Sequence, residues 1–354
     1  MSPTIERADA SLLKYRLDTP VGGSGVAAVD VIILDVTDSD GATGLGFTYV
    51  LGGGGGDVVL SAVRAQVEQH LLGWPLVPPA ALWRQIAAGF NQTDLRTSTI
   101  ALAAIDVAVW DLDSRRRGVP LATALGGVPR AVPVYGSGGF TAGQMPADAA
   151  ATAAGHARRG LRAVKPRVRG DRGDLAVIDA VRSSLPEHVH VMLDANEKCD
   201  LASAHWLVAA ANDRGVLFVE EPLRASALDD YRALAAAGGA TLAAGEHLQG
   251  RAAFLPFLSE RLIGVVQPDL AMAGGLTPAL EIAALAAGFG ISVTPHFLPG
   301  LFVHVAAACP AVTWLEDFPL LEPLFEGWPE LQQNGTIAPR EVPGHGLTLR
   351  KTLV

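Results

Sequence analysis

The chain has 354 residues, enough for two domains, and its 49% hydrophobic and 18% charged content is typical of a compact, well-buried globular protein. The net charge of −9 argues against nucleic acid or an anionic membrane as the main partner. Cys199 and Cys309, the two cysteines, provide no disulfide framework, and the sequence shows neither an export signal nor an apolar run long enough to cross a membrane. We therefore expect a cytoplasmic protein.

Residues 1–130 are predicted to form a small α+β domain. Three segments have the pattern of strands: Ile5 to Arg16, Val29 to Val36 and Thr43 to Val50. A helix follows, for which Thr97-Ser98-Thr99 is the predicted amino-terminal cap. This domain is too short to hold the chemistry alone.

Two glycine-rich loops interrupt this domain, at Pro20 to Gly25 and at Leu51 to Gly56. Each follows a predicted strand. They are either flexible surface loops or a lid over a neighbouring site, because glycine gives a loop mobility and lids exclude water during catalysis.

Residues 131–320 alternate short apolar runs, rich in Val and bounded by Gly or Pro, with Ala- and Leu-rich stretches of helical length. This pattern is typical of parallel strands joined by helices and predicts a (β/α)8 barrel that begins with Val132 to Tyr135. Residues 321–354 are too few for a further domain. They are predicted to pack back on the first domain or to seal the barrel.

Seven of the apolar runs end in a charged residue, and successive positions are 20 to 29 residues apart, the length of one strand–helix unit. The positions are Lys165, Asp194, Glu220, Glu246, Asp269, His296 and Glu316. Charged residues at the carboxyl ends of barrel strands point into the active site. One such residue is easily a solvated loop charge, but seven in this placement indicate a catalytic site.

The carboxylates of Asp194, Glu220 and Glu246 end three successive strands, so they are expected to converge. Three oxygen ligands without clustered Cys or His favour Mg²⁺. The alternative is a salt-bridge network, which the sequence disfavours because no Lys or Arg pattern interleaves the three acids.

Lys165 and Arg167 lie two residues apart on one strand, so both side chains face the same way. They give a site with three carboxylates and one divalent ion a net positive charge, which suits an anionic substrate. The alternative is a pair of surface cations. Pro166, which cannot donate to a central ladder, predicts that the hydrogen bonding of this strand ends near Lys165.

Asp269 and His296 end neighbouring strands, whose axes lie about 4.8 Å apart in a sheet. A carboxylate on one imidazole nitrogen orients the ring and raises its basicity, which leaves the other nitrogen for proton transfer. A lone histidine is more often structural. The Asp at the end of the preceding strand favours a catalytic pair.

Taken together, these motifs resemble the enolase superfamily, and specifically the mandelate racemase subgroup. The resemblance runs from the helix at Ala103 to Asp111 to the final Pro343-Gly344-His345-Gly346. Its specific motifs are Leu193-Asp194-Ala195-Asn196, Val219-Glu220-Glu221-Pro222, Gly245-Glu246, Pro268-Asp269 with Gly274-Gly275, and Pro295-His296.

The resemblance implies an α+β capping domain on a modified (β/α)7β barrel, with essential Mg²⁺ held at the positions of Asp194, Glu220 and Glu246. It also implies removal of the proton α to a carboxylate, giving a metal-stabilised enediolate. Asn196 and Glu316 match positions that contact the substrate or the developing charge. Ala271-Met272-Ala273 stands where a Lys would mark the muconate lactonizing subgroup.

The chain departs from the family racemase at Arg167, where that enzyme has a Lys as a second base. Arginine stays protonated, so a two-base racemisation is disfavoured. His296 alone then removes the α-proton and returns it to a leaving β-hydroxyl, which predicts dehydration of an acid sugar to a 2-keto acid by a carbon–oxygen lyase.

Two other functions stay open at this point. One is an epimerase, racemase or lactone cycloisomerase that shares the enediolate step, and the other is a non-catalytic binding protein on the same scaffold. We also expect a small-molecule carboxylate as the partner and a homo-oligomer, between a dimer and an octamer.

Overall fold

The computed structural model describes residues 3–92 and 95–351. It begins with a three-stranded antiparallel sheet in the order β1 (Ile5–Val21), β2 (Val26–Asp38) and β3 (Thr43–Leu51). Each strand extends past its predicted bounds. The β2–β3 hairpin turns at Gly41, whose N–H donates to the Asp38 carbonyl over 3.0 Å.

One face of this sheet is covered by helices. They are α1 (Gly56–His70), α2 (Pro79–Ala87), a 3-10 helix at Ala88–Gln92, α3 (Leu95–Arg116) and α4 (Leu121–Ala124). The cap predicted at Thr97-Ser98-Thr99 is wrong, because these residues lie inside α3. Helix α3 is buried on every side over residues 101–105, since it packs between the sheet and the second part of the chain. We call the unit of β1–β3 and α1–α4 the capping domain.

The second part of the chain is a closed barrel of eight parallel strands. They are β4 (Val132–Gly136), β5 (Ala163–Val164), β6 (His190–Val191) continued by β7 (Leu193–Asp194), β8 (Val219–Glu220), β9 (Leu242–Ala244), β10 (Val265–Val266), β11 (Ser292–Val293) and β12 (Leu315–Asp317). The bridge between Val293 and Val312 closes the ring next to β12.

Helices follow each of the first seven strands. They are α5 (Pro146–Arg158), α6 (Asp174–Ser184), α7 (Leu201–Asn212), α8 (Leu228–Ala237), α9 (Gly250–Ser259), the pair α10 (Leu270–Ala273) and α11 (Leu276–Gly288), and α12 (Pro299–Ala308). In the described chain no α-helix follows β12. The fold is therefore the modified (β/α)7β barrel that the resemblance implied, with an antiparallel α+β capping domain. No helix among the described residues has the length and apolarity needed to span a membrane.

The last residues connect the barrel to the capping domain. Strand β13 (Phe325–Glu326) pairs with β15 (Thr348–Leu349), and β14 (Thr336–Ile337) pairs antiparallel with β4. His345 is buried, and its ring Nε2 donates to the Leu45 carbonyl over 2.8 Å while its backbone N–H donates to Asp111 Oδ1 over 2.9 Å.

Polar contacts also join the capping domain directly to the barrel helices. Asp106 of α3 accepts from the N–H and the hydroxyl of Thr277, at the amino terminus of α11, over 2.8 and 2.7 Å. The indole N–H groups of Trp110 and Trp83 donate to Thr277 Oγ1 and to the Gly274 carbonyl. These contacts hold β3 of the capping domain over the carboxyl ends of the barrel strands.

Candidate active site

Six side chains close the interior of the barrel below its mouth. They come from six neighbouring strands and are Tyr135, Ala163, Met192, Phe218, Ala243 and Val265, with Trp314 packed against them. Side chains two residues further along a strand point the same way. The polar residues at that spacing are Ser137, Lys165, Asp194, Glu220, Gln267 and Glu316. Strand alternation therefore sets the charged layer at the mouth.

Glu246 reaches this layer through a different local geometry. Gly245 before it has a φ of +141°, a conformation that side chains disfavour, and a β-carbon there would lie 2.7 Å from the Phe254 ring. The Gly245 N–H donates to Glu221 Oε1 over 3.2 Å. Glycine is therefore required at this position, and it brings the following carboxylate to the mouth.

Lys165 is fully buried among three carboxylates. Its Nζ lies 2.5 Å from Glu220 Oε2, 2.9 Å from Glu316 Oε1 and 3.4 Å from Asp194 Oδ2. Burial alone would lower the pKa of Lys165, but the charges of Glu220 and Glu316 outweigh it and raise that pKa. The same contacts hold the pKa of Glu316 well below its usual range, although burial opposes this shift. Lys165 is therefore an ammonium donor in this arrangement.

Arg167 lies beside Lys165 and forms an ion pair with Asp194. It also donates to Asn196 Oδ1 and Ser137 Oγ, each over 3.3 Å, and its guanidinium lies 5.7 Å from the centre of the Phe318 ring. The prediction that no cation lies among the three acids is therefore wrong. Two cations from one strand lie among acids from its neighbours, a contact between strands that spacing along the chain does not show.

The strand that carries both cations also continues further than predicted. Lys165 N–H donates to Gly136 on one side, but on the other side the Pro166 carbonyl accepts from Asp194 N–H. Val168 N–H then donates to the Asp194 carbonyl over 2.9 Å. Pro166 therefore removes a donor on one edge only, and the ladder toward Asp194 keeps Arg167 aimed at the mouth.

Asp269 and His296 lie together as a buried pair, with Nδ1 of the imidazole 2.8 Å from Asp269 Oδ2. The other ring nitrogen, Nε2, lies 3.1 Å from Glu246 Oε2. Burial opposes protonation of the ring, but the charge of Glu246 and the hydrogen bond to Asp269 raise the pKa of His296 to about 10. The ring therefore has to be neutral, and Glu246 has to move away from Nε2, before this nitrogen can accept a proton from the substrate.

The three predicted metal ligands are all buried, and Oε1 of Glu220 has no hydrogen-bond partner among the residues that the structure describes. A buried carboxylate oxygen without a partner is costly unless a cation satisfies it. Their ligand atoms do not all lie within 4.8 Å of one another, and Asp194 and Glu246 are paired with Arg167 and His296 instead. The donor set, hard oxygen with no sulfur, still fits a magnesium ion.

Sequence reasoning missed a second polar cluster at the mouth. Ligand atoms of Glu197, Glu221 and His247 all lie within 4.8 Å of one another, and His247 Nδ1 is 2.6 Å from Glu221 Oε2. Burial raises the pKa of Glu221 to about 7, and the hydrogen bond that His247 donates to Glu221 raises the pKa of His247 to about 9. The sequence signal for this cluster was Glu221, the second Glu of the Glu220-Glu221-Pro222 motif. The direction in which its side chain points depends on the local backbone conformation.

That backbone is unusual at the ends of three strands. Five residues without a glycine's freedom have positive φ there: Asn196, Glu197, Glu221, Phe297 and Leu298. Such conformations cost free energy and cluster at functional sites. The turn at Phe297 directs its N–H to Glu316 Oε2 over 2.8 Å, so the backbone after His296 is fixed to the last barrel strand.

The capping domain supplies part of the site. A cavity of about 200 Å³ lies beside the Asp269–His296 pair, between β3 and the ends of β9 to β11. It is lined by Tyr49, Val50, Leu51, Ile100, Glu246, His247, Asp269, Ala271, Met272 and His296. Tyr49 also donates to Asp269, a contact between residues 220 positions apart that no local pattern indicates.

The two glycine-rich loops have different positions. In the first, Gly22 forms a bridge with Thr141 of the barrel, and a β-carbon on Gly23 would overlap the side chain of Asn196. In the second, the N–H groups of Gly54 and Gly56 donate to Asp30 of β2, which holds the loop on the capping domain. The first loop therefore lies against the barrel mouth, and the second is fixed to its own sheet.

Comparison with known proteins gives the class to which this fold and site belong. Residues 17–126 match the family described as mandelate racemase / muconate lactonizing enzyme, N-terminal domain, and residues 148–353 match the enolase C-terminal domain-like family. This chain belongs to the mandelate racemase/muconate lactonizing enzyme family of the enolase superfamily, as its motifs predicted.

Two curated relatives extend over almost the whole chain. An L-talarate/galactarate dehydratase of Salmonella typhimurium is 31% identical over 98% of this chain and 89% of its own length. A 3,6-anhydro-alpha-L-galactonate cycloisomerase of Streptomyces coelicolor is 30% identical over 98% and 97%. The family thus includes named dehydratases, which are lyases, as well as cycloisomerases.

Solved structures agree over the same extent. The L-talarate dehydratase of Polaromonas sp. JS666, complexed with Mg and L-glucarate, superposes with a TM-score of 0.89 at 30% identity and covers 99% of this chain and 96% of its own. A racemase from Streptomyces coelicolor with bound magnesium superposes with a TM-score of 0.91 at 29% identity. The match covers 98% of this chain and 97% of the racemase.

Proposed function

We propose that this protein removes water from an acid sugar, an aldonate or an aldarate, and releases a 2-keto-3-deoxy acid, with Mg²⁺ as its cofactor. The observation that carries the proposal is the asymmetry of the site. His296 is oriented by Asp269 for proton transfer. The position from which the resembled racemase supplies a second base holds Arg167, which stays protonated.

Asp194, Glu220 and Glu246 would hold the ion, and the partnerless Oε1 of Glu220 supports this assignment. When bound, Mg²⁺ neutralises the substrate carboxylate and the negative charge that develops beside it as the α-proton leaves. The relative complexed with Mg and L-glucarate supports both the cofactor and the substrate class.

Lys165 and Arg167 bind the anionic substrate. The Nζ of Lys165 is fully buried against Glu220 and Glu316, so we assign it as a hydrogen-bond donor to the substrate and not as the group that accepts the α-proton. Asn196, which accepts from Arg167, and Glu316, which holds the backbone after His296, complete the substrate contacts.

The chemical step uses His296 twice. Nε2 takes the proton from C2, and the electron pair of that C–H bond moves toward the carboxylate to give an enediolate. As the C3–O bond breaks, this pair returns to form the double bond between C2 and C3. The imidazolium returns its proton to the departing C3 hydroxyl, which leaves as water. The resulting enol takes a proton from solvent at C3 and becomes the 2-keto-3-deoxy acid, so the atoms balance as substrate minus water.

A panel of aldonates and aldarates, including C2 epimers, incubated with the enzyme and Mg²⁺ tests this proposal. The expected result is a 2-keto acid, trapped as its semicarbazone, with the mass of one panel member minus water. His296→Asn, which lacks the proposed base, is the negative control and is expected to give no 2-keto acid. An isomer of unchanged mass with no 2-keto acid would instead identify an epimerase or a cycloisomerase. A cycloisomerase is the second candidate, because the 3,6-anhydro-alpha-L-galactonate cycloisomerase of Streptomyces coelicolor is a relative over almost the whole chain.

A further inference from the structure

Tyr49, which belongs to the capping domain, contacts the Asp269–His296 pair. It lies on β3, only 3% of its surface is exposed, and its hydroxyl donates to Asp269 Oδ2 over 2.5 Å. The acceptor is the same oxygen that lies 2.8 Å from Nδ1 of His296. Tyrosine, carboxylate and imidazole therefore form one continuous chain of hydrogen bonds that starts in one domain and ends in the other.

The carboxylate in the middle of this chain is held by three donors. Besides Tyr49 and His296 on Oδ2, the N–H of Met272 donates to Oδ1 over 2.9 Å at the start of α10. Donors on both oxygens oppose rotation of the carboxylate about its Cβ–Cγ bond, and the Tyr49 hydroxyl adds a second donor on the oxygen that contacts His296. The Tyr49 phenol remains a donor, because burial and the charge of Asp269 raise its pKa.

We infer that Tyr49 is a positioning residue: its hydroxyl fixes the Asp269 carboxylate and, through it, the imidazole of His296, so that the base is in place only when the capping domain is docked on the barrel. The inference rests on the proposed function for the role of His296, and its geometry stands independently of which acid sugar is the substrate. Tyr49 itself does not touch the reacting atoms.

The hydroxyl can be tested apart from the ring. The Tyr49 ring packs edge-on against Phe297, with centroids 4.9 Å apart, and this contact persists in Tyr49→Phe. Tyr231→Phe is a matched control, because Tyr231 is equally buried and donates to the Leu223 carbonyl over 2.9 Å, away from the Asp269–His296 pair. Each variant loses one buried tyrosine hydrogen bond, but only Tyr49→Phe loses a contact with Asp269.

Tyr49→Phe is expected to lower kcat about 10- to 100-fold with KM changed less than threefold, because a base displaced by a fraction of an ångström loses most of its effectiveness. Tyr231→Phe is expected to keep the wild-type kcat. In the Asp269→Asn background, Tyr49→Phe is expected to add less than a threefold further loss, because its effect runs through Asp269. Wild-type kcat in Tyr49→Phe, or full additivity with Asp269→Asn, would overturn the inference.

A readout without substrate separates this inference from the proposed function. In protein labelled with ¹⁵N-histidine, the Nδ1 proton of His296, assigned by its loss in His296→Asn, is expected to shift in Tyr49→Phe and to stay in place in Tyr231→Phe. If no acid sugar is dehydrated but this shift is observed, the proposed function fails and the positioning role stands. An unmoved signal in Tyr49→Phe contradicts the positioning role, whatever the substrate.

Discussion

Lys165 and Glu220 form an ion pair inside the barrel, with Nζ 2.5 Å from Oε2 and both side chains inaccessible to solvent. Glu220 is also one of the proposed metal ligands, and the second donor on the same oxygen is Gln267 Nε2 at 2.6 Å. Lys165 therefore neutralises acids that would otherwise repel one another in a dry site.

Removing this cation is expected to destabilise the fold strongly. Lys165→Met leaves Glu220 and Glu316 buried without their counter-charge, a change that typically costs about 3–5 kcal/mol. Lys14→Met, which breaks an exposed pair with Asp57, is the control and is expected to leave the unfolding midpoint nearly unchanged. Urea unfolding of both variants measures the difference, and equal midpoints would contradict the role of Lys165.

Metal removal is expected to abolish activity, and Mg²⁺ is expected to restore it. In Glu220→Gln one oxygen ligand becomes a neutral amide, and Lys165 loses one counter-charge but keeps Glu316 and Asp194. We therefore expect the fold to survive with a lower Tm, while the increase in Tm that Mg²⁺ gives the wild type disappears. Isothermal titration with Mg²⁺ checks the loss of binding. Full activity in excess chelator would contradict the metal assignment.

The fit of the first glycine-rich loop predicts a specific effect on substrate binding. Gly23→Ala places a β-carbon on Asn196, so the loop has to move and KM is expected to rise about 10-fold. Gly25→Ala is the control, because its φ is +64° and a β-carbon there meets open space: it introduces backbone strain without a clash. Steady-state kinetics with the substrate that the panel identifies measure the KM of both variants. The same KM for both variants would mean that the loop does not shape the site.

The protein is expected to lose stability in acid because of two buried histidines, His304 and His345. They connect the barrel, the capping domain and the last residues. Nδ1 of His304 accepts from Ala122 N–H, and Nδ1 of His345 accepts from Leu347 N–H, so both rings are neutral. Burial lowers the pKa of His304 to about 3 and also lowers that of His345. The unfolded chain then binds more protons, so this contribution to stability is present above pH 6.5 and is lost as pH falls toward 3.

The slope of unfolding free energy against pH between 6.5 and 5 measures this effect. Each histidine contributes at most about 1.4 kcal/mol per pH unit. His304→Gln removes one titrating group and is expected to reduce the slope, whereas His188→Gln, at an exposed position, is expected to leave it unchanged. A slope that is the same in His304→Gln and the wild type would contradict the prediction.

Much of the site could be predicted from the sequence, because strand alternation is a local rule. Lys165, Asp194 and Glu220 each lie two residues beyond a side chain of the barrel interior, and that spacing is visible in the chain. The closeness of Asp269 and His296 follows in the same way from neighbouring strands.

Other features depend on contacts between distant segments or on backbone angles. The positive φ values of Glu221 and Phe297, which aim a carboxylate and an N–H into the site, leave no mark in residue type. Tyr49 reaches Asp269 only because the capping domain docks on α10 and α11. The helix cap predicted at Thr97-Ser98-Thr99 is wrong because α3 already includes Leu95, ahead of these residues.

Transfer of the α-proton by His296 alone is tested most directly by ¹H NMR in deuterated solvent, with the acid sugar that the panel identifies. The predicted result is a 2-keto-3-deoxy acid with one deuterium at C3, remaining substrate that keeps its configuration at C2, and neither product nor exchange in His296→Asn. Accumulation of the C2 epimer by the wild type, or exchange that continues in His296→Asn, would contradict both the single-base mechanism and the dehydratase assignment.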